Sequence, residues 1–206
     1  YVTPMGGGYE LLLDQVPDPA EGEQVATVRP ATAEDLPLLQ RYLEETGRQL
    51  SISLLREPGA WAFQDDPART DEEAIATCLV LEHGAPSGYF RYRRHAHHGR
   101  PFNHIIEASR LSYRGSLAAL RFARDLARSR GEQRIVVSLY PSASLIQAAA
   151  YLGGRALTPY AWYVRVPDAA RLLQAMAPVL ERRLAGSPLA GYTGTLRFEL
   201  YSRALD

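Results

Sequence analysis

The chain has 206 residues, and its 23 basic and 23 acidic side chains give a formal net charge of zero. A balanced charge argues against a general nucleic-acid-binding protein, which normally carries a basic excess. A hydrophobic content of 46% and a charged content of 22% are ordinary for a globular protein and argue against wholesale disorder.

Residues 1–24 are predicted to form an N-terminal strand and a linker. Residues 9–13 have the apolar character of a strand, and residues 14–24 are rich in Pro, Asp, Glu and Gly, which is typical of an exposed linker. We therefore place a domain boundary near residue 25.

Residues 25–166 alternate between strand and helix patterns, which indicates one mixed α/β domain. The predicted elements, in chain order, are a strand at 25–29, helices at 32–47 and 50–57, strands at 73–82, 89–94 and 102–111, a helix at 115–130, a strand at 134–140, a helix at 142–152 and a strand at 161–166. Pro58-Gly59 is predicted to stop the second helix, and residues 83–88 are predicted to form a hairpin turn.

Residues 167–206 are predicted to form a short C-terminal extension with a helix, capped by Asp168, and a strand at 192–201. So few elements cannot bury a core alone. We expect the extension to dock on the main domain or to belong to a larger unit.

Two residue counts exclude specific chemistries. The sequence contains no lysine, so neither a Schiff-base lysine nor a Walker-type phosphate ligand is available. Cys78 is the single cysteine, which excludes an intramolecular disulfide and a multi-cysteine zinc or iron–sulfur site, and we expect no metal. No apolar stretch approaches the roughly 18 residues of a membrane span. We expect a cytoplasmic protein that binds neither membranes nor nucleic acid.

The segment Leu111–Leu120 joins a strand to the clearest helix. A turn of this kind aims free backbone N–H groups, and the positive end of the helix dipole, at whatever lies there. An anion such as a pyrophosphate would bind well, and Arg114 would add a charge-assisted contact. The alternative is that Gly115 only eases the turn while Arg114 is solvated.

The element order and this turn resemble the GNAT superfamily of acetyl-CoA-dependent N-acyltransferases. Residues 28–36 are similar to its opening strand and helix, and Tyr113-Arg114-Gly115 resembles the start of its acyl-CoA motif, in which an Arg or Gln is followed by two small residues. Residues 144–154 resemble its second conserved segment, where a Tyr often protonates the departing thiolate. The resemblance covers about residues 25–166. It implies a mixed, mainly antiparallel central sheet flanked by helices.

The resemblance also implies acetyl-CoA as co-substrate and a small-molecule amine as acceptor. Tyr151 is the candidate acid, with Ala150 as the competing match to that position. Leu117 departs from the glycine of the acyl-CoA motif, and Ala143 or Ser144 stands where an Asn is usual. The residues that the resemblance assigns to cofactor binding are Ser109, Leu111, Arg114, Gly115, Ser116 and Ala119.

Glu107 is the candidate general base. It lies in the strand before the motif among apolar neighbours, and a carboxylate there is expected to have a raised pKa, suited to deprotonating an ammonium group. The alternative is an outward-facing glutamate. His104, on the opposite face of the same strand, is the second candidate base.

Residues 163–173 resemble the entry to a sterol-carrier-like domain. In enhanced-intracellular-survival-type acetyltransferases such a domain follows two GNAT units, of which the first is catalytic and the second degenerate. Tyr9-Glu10 and the strand after it would then be the last piece of a first unit. We expect as partner either a second copy of this chain in a homo-oligomer or, as this resemblance implies, a missing N-terminal GNAT unit.

Three functions remain open at this point. The first is transfer of acetyl from acetyl-CoA to an amine of unknown identity. The second is a degenerate, non-catalytic GNAT-like domain that serves as a structural or substrate-binding unit of a larger acetyltransferase. The third is a binding module that keeps a CoA-sized cleft without chemistry.

Overall fold

A computed structural model describes residues 2–4, 8–50, 53–71, 74–95, 104–158, 161–163, 166–194, 198–200 and 203–205. The strands are β1 (Val2–Pro4), β2 (Gly8–Leu12), β3 (Thr27–Pro30), β4 (Ile75–Glu82), β5 (Ala85–Arg93), β6 (Ile105–Ala108), β7 (Arg134–Ser138), β8 (Arg155–Ala156), β9 (Ala161–Tyr163), β10 (Phe198–Leu200) and β11 (Arg203–Leu205). The helices are α1 (Leu36–Gly47), α2 (Pro58–Asp65), α3 (Tyr113–Ser129), α4 (Ser144–Tyr151) and α5 (Ala169–Ala185), with 3-10 turns at Leu13–Gln15 and Ala33–Asp35.

Seven strands form the central sheet, in the order β3-β4-β5-β6-β7-β2-β8. Neighbouring strands are antiparallel except β6 and β7, which run parallel and pair at Ile105 and Val137. Among the described residues, β6 and β7 form no further pair, and the two strands separate after it. The predicted mixed α/β fold with a mainly antiparallel sheet is confirmed.

The central strands direct alternate side chains into two cores, one on each face of the sheet, and helices cover both cores. Cys78, Val80 and Phe90 pack in a core that includes buried residues of α3 and α4. Leu79 and Tyr89 point the other way and pack against residues of α1 and α2. This period of two is what a strand buried on both sides requires.

The strand β2 lies inside the sheet, between β7 and β8, and Leu11 is fully buried there. One compact unit spans Thr3–Trp162, and the other comprises residues 163–206 with residues 1–2. The predicted boundary near residue 25 is therefore wrong, because residues 8–12 supply an internal strand of the main sheet. The second unit begins at Tyr163, close to the predicted boundary at residue 167.

The predicted linker is fastened to α3. The guanidinium of Arg124, itself 5% exposed, donates to the carbonyl of Val16 at 2.8 Å and pairs with Asp18 at 2.7 Å. One turn earlier, Arg121 pairs with Glu23 at 2.9 Å. Residues 16–23 therefore pack along the outside of α3.

Two local predictions are corrected. No helix covers residues 53–57; α2 instead begins at Pro58, where a missing N–H costs nothing in the first helical turn. The first hairpin turn is shorter than predicted, because His83 and Gly84 both adopt positive φ, 52° and 79°, and form a two-residue turn.

In the C-terminal unit, the Asp168 side chain accepts from the backbone N–H of Arg171 at 2.9 Å and caps α5, as predicted. The strands β10 and β11 pair antiparallel. Of the strand predicted at 192–201, residues 198–200 form β10 and residues 192–194 have no regular structure, while residues 195–197 and 201 lie outside the described residues. None of the described helices combines the length and the hydropathy that a membrane crossing requires.

Candidate functional site

The candidate cofactor site lies where β6 ends and α3 begins. Ser112 is the N-cap of α3: its hydroxyl accepts from the Gly115 N–H at 2.9 Å, and its carbonyl accepts from the Ser116 N–H at 2.9 Å. The amides of Gly115 and Ser116, predicted to be unpaired, are therefore already used within the helix. That prediction is wrong because Ser112 ends the turn earlier than the motif suggested and extends α3 back to Tyr113.

A carboxylate lies at this helix N-terminus. Glu82, at the end of β4, accepts through Oε1 from the Ser112 hydroxyl at 2.7 Å and from the Ser87 hydroxyl at 3.2 Å. The same oxygen is 3.1 Å from the position that a Cβ on Gly115 would occupy. A negative charge here is stabilised by the positive end of the α3 dipole. The chain thus supplies its own anion where a diphosphate was predicted.

Buried residues follow the ends of β6 and β7. Leu111 is 4% exposed, and its N–H donates to the hydroxyl of Ser144, the first residue of α4, at 3.1 Å. Leu139 and Ala143 pack in the same buried cluster as Leu111. Leu117 is also buried, at 7% exposure, so its side chain points into protein rather than across the turn.

The remaining predicted cofactor residues lie at different depths. Ser116 and Ala119 are fully buried on the inner face of α3. Ser109 is 3% exposed, and its hydroxyl accepts from the Tyr89 N–H at 2.8 Å. Arg114 is exposed. Only Arg114 among these four presents its side chain to solvent.

Tyr151, the candidate acid, lies at the C-terminal end of α4 and is 81% exposed. Its ring packs edge-on against that of Tyr113, with the centroids 6.0 Å apart. The structure thus brings Tyr151 to the first residue of α3, next to Arg114. A molecule bound at the surface beside this helix start could therefore reach the side chains of both residues.

Glu107, the candidate base, is held in a buried ionic cluster. Arg56 donates two hydrogen bonds to its carboxylate, at 2.8 Å to Oε1 and 2.6 Å to Oε2, and the Tyr89 hydroxyl donates to Oε1 at 2.8 Å. Arg91, which is fully buried, lies 3.7 Å from Oε2. The apolar neighbours of Glu107 along the strand predicted apolar surroundings for its carboxylate. The side chains that contact the carboxylate are instead two arginines and a tyrosine.

The charge state of Glu107 follows from these contacts. Burial by itself raises the pKa of this carboxyl, but the hydrogen bonds from Arg56 and the positive charges of Arg91 and Arg56 outweigh it and lower the pKa below its usual value. The raised pKa predicted for a general base is therefore wrong. Burial, with the nearby Glu107 charge, raises the pKa of Tyr89, so its hydroxyl remains a donor.

Arg91 extends the cluster away from Glu107. Its guanidinium donates to Thr77 Oγ1 at 2.9 Å and to Gln64 Oε1 at 3.0 Å, and it lies 3.2 Å from a carboxylate oxygen of Asp65. Both guanidinium groups lie over the Trp61 ring. The Arg56 Cζ is 4.4 Å and the Arg91 Cζ 4.6 Å from the ring centroid. His104, the second candidate base, is buried at 7% exposure at the start of β6.

Arg56, Trp61 and Arg91 were not predicted to be part of any site. Arg56 lies 51 positions before Glu107 in the chain, and no motif connects it or Trp61 with Glu107. The available signal was a charged residue, Arg91, between the aromatic residues Phe90 and Tyr92 of a strand, since a buried charge requires a partner.

Three cavities are lined by described residues, and the third borders Ser87, whose hydroxyl bonds to Glu82 near the start of α3. One of about 440 Å³ lies between the C-terminal half of α1 and residues 53–57, one of about 460 Å³ lies beside Trp61 near the start of β4, and one of about 210 Å³ borders Ser109 and Arg110. Across the described part of the chain, no group of three or more His, Cys, Asp or Glu side chains is arranged to hold a metal ion.

Solved structures share this fold. A GCN5-related N-acetyltransferase from Anabaena variabilis superposes with a TM-score of 0.54 at 14% identity, over 84% of this chain and 44% of that one. One from Sphaerobacter thermophilus gives a TM-score of 0.50 at 19% identity, over 78% of this chain and 51% of that one. The chain thus spans about half the length of these two structures. No protein-family model and no curated protein matches the sequence.

The sheet order, the parting of β6 from β7 and the helix that follows β6 define the class of fold. The chain has the fold of the GCN5-related N-acetyltransferases (GNAT fold).

Proposed function

We propose that this chain is a non-catalytic GNAT-fold unit that serves a structural or substrate-binding role in a larger acetyltransferase. The observation that carries the proposal is the Glu82 carboxylate at the N-terminus of α3, hydrogen-bonded to the cap residue Ser112. An acetyl-CoA diphosphate placed there would meet a negative charge, and the amides of Gly115 and Ser116 are already paired within the helix.

The Glu82 carboxylate would lower the affinity for a diphosphate by electrostatic repulsion. Two like charges about 4 Å apart repel by about 4 kcal/mol at the effective dielectric of a protein surface. Each 1.4 kcal/mol corresponds to a tenfold loss of affinity. The Leu111–Ser144 hydrogen bond and the buried side chains around it supply a second, steric obstacle.

The partial coverage of the matched structures supports the role in a larger protein. The chain covers 44% of the Anabaena variabilis structure and 51% of the Sphaerobacter thermophilus structure. In a protein of that length, acetyl transfer would be the task of a part other than residues 25–166. The enhanced-intracellular-survival-type arrangement, with a sterol-carrier-like extension after residue 166, is the version of this proposal that the sequence favours.

The second candidate function is acetyl transfer from acetyl-CoA to a small-molecule amine by this chain itself. The fold and the position of Tyr151 beside Tyr113, at the start of α3, support it. In that mechanism Tyr151 would protonate the CoA thiolate and Glu107, or a water that it holds, would accept the amine proton. The lowered pKa of Glu107 makes it a weak base and weighs against this candidate.

Isothermal titration with acetyl-CoA separates the two candidates. We expect no heat of binding from the chain at millimolar acetyl-CoA, and no acetylation across a panel of amines. Binding that free CoA displaces, together with acetyl transfer, would establish the catalytic function instead.

The variant Glu82→Gln tests the carboxylate directly. It keeps the size of the side chain and an oxygen for Ser112 while removing the charge, so we expect acetyl-CoA affinity at least about tenfold higher than that of the unmodified chain. Glu44→Gln, on the exposed side of α1, is the matched control and should change nothing. Equal affinities for the two variants would show that Glu82 does not exclude the diphosphate.

A further inference from the structure

The Arg56 side chain occupies a pocket made by Trp61, Tyr89 and Glu107. Its guanidinium makes paired hydrogen bonds to both Glu107 oxygens and stacks over the Trp61 ring, with its Cζ 4.4 Å from the centroid. The side chain is 7% exposed, although it comes from a segment that is otherwise at the surface. A carboxylate fork beneath an aromatic face is the arrangement that recognises a planar cation.

The charges around the pocket balance only when a cation occupies it. Arg56 and Arg91 balance Glu107 and Asp65, so the cluster is neutral with Arg56 in place. Without Arg56 one negative charge is left on a buried carboxylate, which is costly unless a cation replaces the guanidinium. Tyr89 and Arg91 hold that carboxylate in position from the other side.

The segment that carries Arg56 is otherwise exposed. Residues 53–57 (the Arg56 segment) have no regular structure, and Leu54 and Leu55 are 56% and 88% exposed. Arg56 is the only residue of this segment that is not exposed. Its side chain therefore ties the segment to the sheet.

A cavity lies beside the pocket. It has a volume of about 440 Å³ and is bordered by Arg56 itself and by side chains of both charges, among them Glu44, Arg48 and Glu57. Glu44 pairs with Arg48 at 3.9 Å. Since residues 53–57 supply part of the lining, any movement of this segment changes the cavity.

We propose that Trp61, Tyr89 and Glu107 form a binding site for an external alkylguanidinium compound and that Arg56 is its internal competitor. The site opens when the Arg56 segment moves outward and its side chain leaves Glu107. The ligand then takes over the paired hydrogen bonds and the stacking on Trp61. This inference is independent of whether α3 binds acetyl-CoA.

Ethylguanidinium is the probe, and Arg56→Ala is the variant that vacates the pocket. Removing one partner of a buried pair is expected to lower Tm by about 10 °C. Ethylguanidinium at ten times its dissociation constant should then raise Tm by roughly 3–6 °C, and the rise should grow with the logarithm of the concentration. The fluorescence of Trp61, measured with Trp162→Phe in the background, should change over the same concentration range.

Arg121→Ala is the matched control, since it removes another well-buried guanidinium, from Glu23, without leaving an aromatic pocket. We expect no such rise in Tm for this variant. An equal rise in Arg121→Ala, or no rise in Arg56→Ala, overturns the proposal. If Arg56→Ala does not fold, Arg56→Met keeps an unbranched chain over Trp61 and is used in its place, under the same two criteria.

Hydrogen exchange of the unmodified chain tests the competition. Saturating ethylguanidinium should speed amide exchange in residues 53–57 at least about threefold and leave β4 unchanged. The apparent affinity should be weaker than that of Arg56→Ala, because only the open fraction of molecules binds. Affinity equal to that of Arg56→Ala, or an unchanged exchange rate at saturation, contradicts the role of Arg56 as competitor.

Discussion

The carboxylate of Glu107 keeps its charge although it is largely removed from solvent. Paired hydrogen bonds from Arg56 and the charge of Arg91 replace the water that burial takes away. The Tyr89 hydroxyl uses a further lone pair of Oε1. Such a carboxylate is suited to holding cations rather than to taking up protons.

Replacing Glu107 by Gln should destabilise the chain by about 3–5 kcal/mol at pH 7, because two buried guanidinium groups lose their carboxylate. The pKa of Glu107 is lower in the folded chain than its unfolded value of 4.5. Its contribution is therefore fully present above pH 4.5 and is lost as the pH falls through the folded pKa.

Urea denaturation of both proteins at a series of pH values is the measurement. The difference in the free energy of unfolding should be constant from about pH 5 to 7 and should narrow below the unfolded pKa. Glu44→Gln should show a small difference at pH 7. A difference between the unmodified chain and Glu107→Gln that grows towards acid pH would contradict the lowered pKa.

At the scale of elements, the first turn of α3 combines two stabilising contacts. Ser112 satisfies a backbone N–H that the helix leaves unpaired, and Glu82 adds a negative charge near the positive end of the dipole. Both contacts use groups that a phosphate-binding turn would keep free for its ligand. The element that most resembles a cofactor motif in sequence is therefore a well-capped structural helix.

Replacing Ser112 by Ala should cost about 1 kcal/mol of stability, the usual value of an N-cap side chain. Thermal unfolding should show this as a Tm lower by about 2–4 °C. Ser129→Ala, at the other end of α3, is the control: its hydroxyl bonds to the Leu126 carbonyl within the helix, and little change is expected. An equal lowering of Tm in the two variants would show that the Ser112 cap does not stabilise α3 more than an ordinary helix hydroxyl does.

At the scale of the whole molecule, β2 decides the extent of the main unit. It pairs with β7 over residues 8–12 and with β8 on its other side, so the sheet depends on residues that precede the predicted linker. Arg121 and Arg124 then fix that linker to α3. Residues 8–24 are part of the folding unit.

The variant Leu11→Ala should lower the free energy of unfolding by about 2–5 kcal/mol, because Leu11 is fully buried in the core under α4. Leu12→Ala is the neighbouring control: Leu12 is 54% exposed on the opposite face of β2 and should cost much less. Denaturant titration measures both. Similar costs for the two variants would mean that β2 does not occupy its place in the sheet.

Local patterns determined much of the secondary structure. The helix at 115–130, the Asp168 cap of α5 and the strand at 73–82 each depend on neighbours close in the chain, so the sequence was enough to predict them. The superfamily resemblance, based on element order, likewise predicted the fold correctly. The helix predicted at 50–57 failed because Pro58 starts a helix as readily as it ends one.

Only the tertiary structure decided the surroundings of the candidate site residues. Glu82 reaches Ser112 across 30 positions of sequence, and Arg56 reaches Glu107 across 51. Neither contact leaves a trace in local composition, because a long-range pairing depends on how strands are ordered in the sheet. The amino-acid order by itself determined the helices and strands and which of their faces are apolar. The packing of these elements determined which charged side chains pair, and therefore whether a turn is free to accept a ligand.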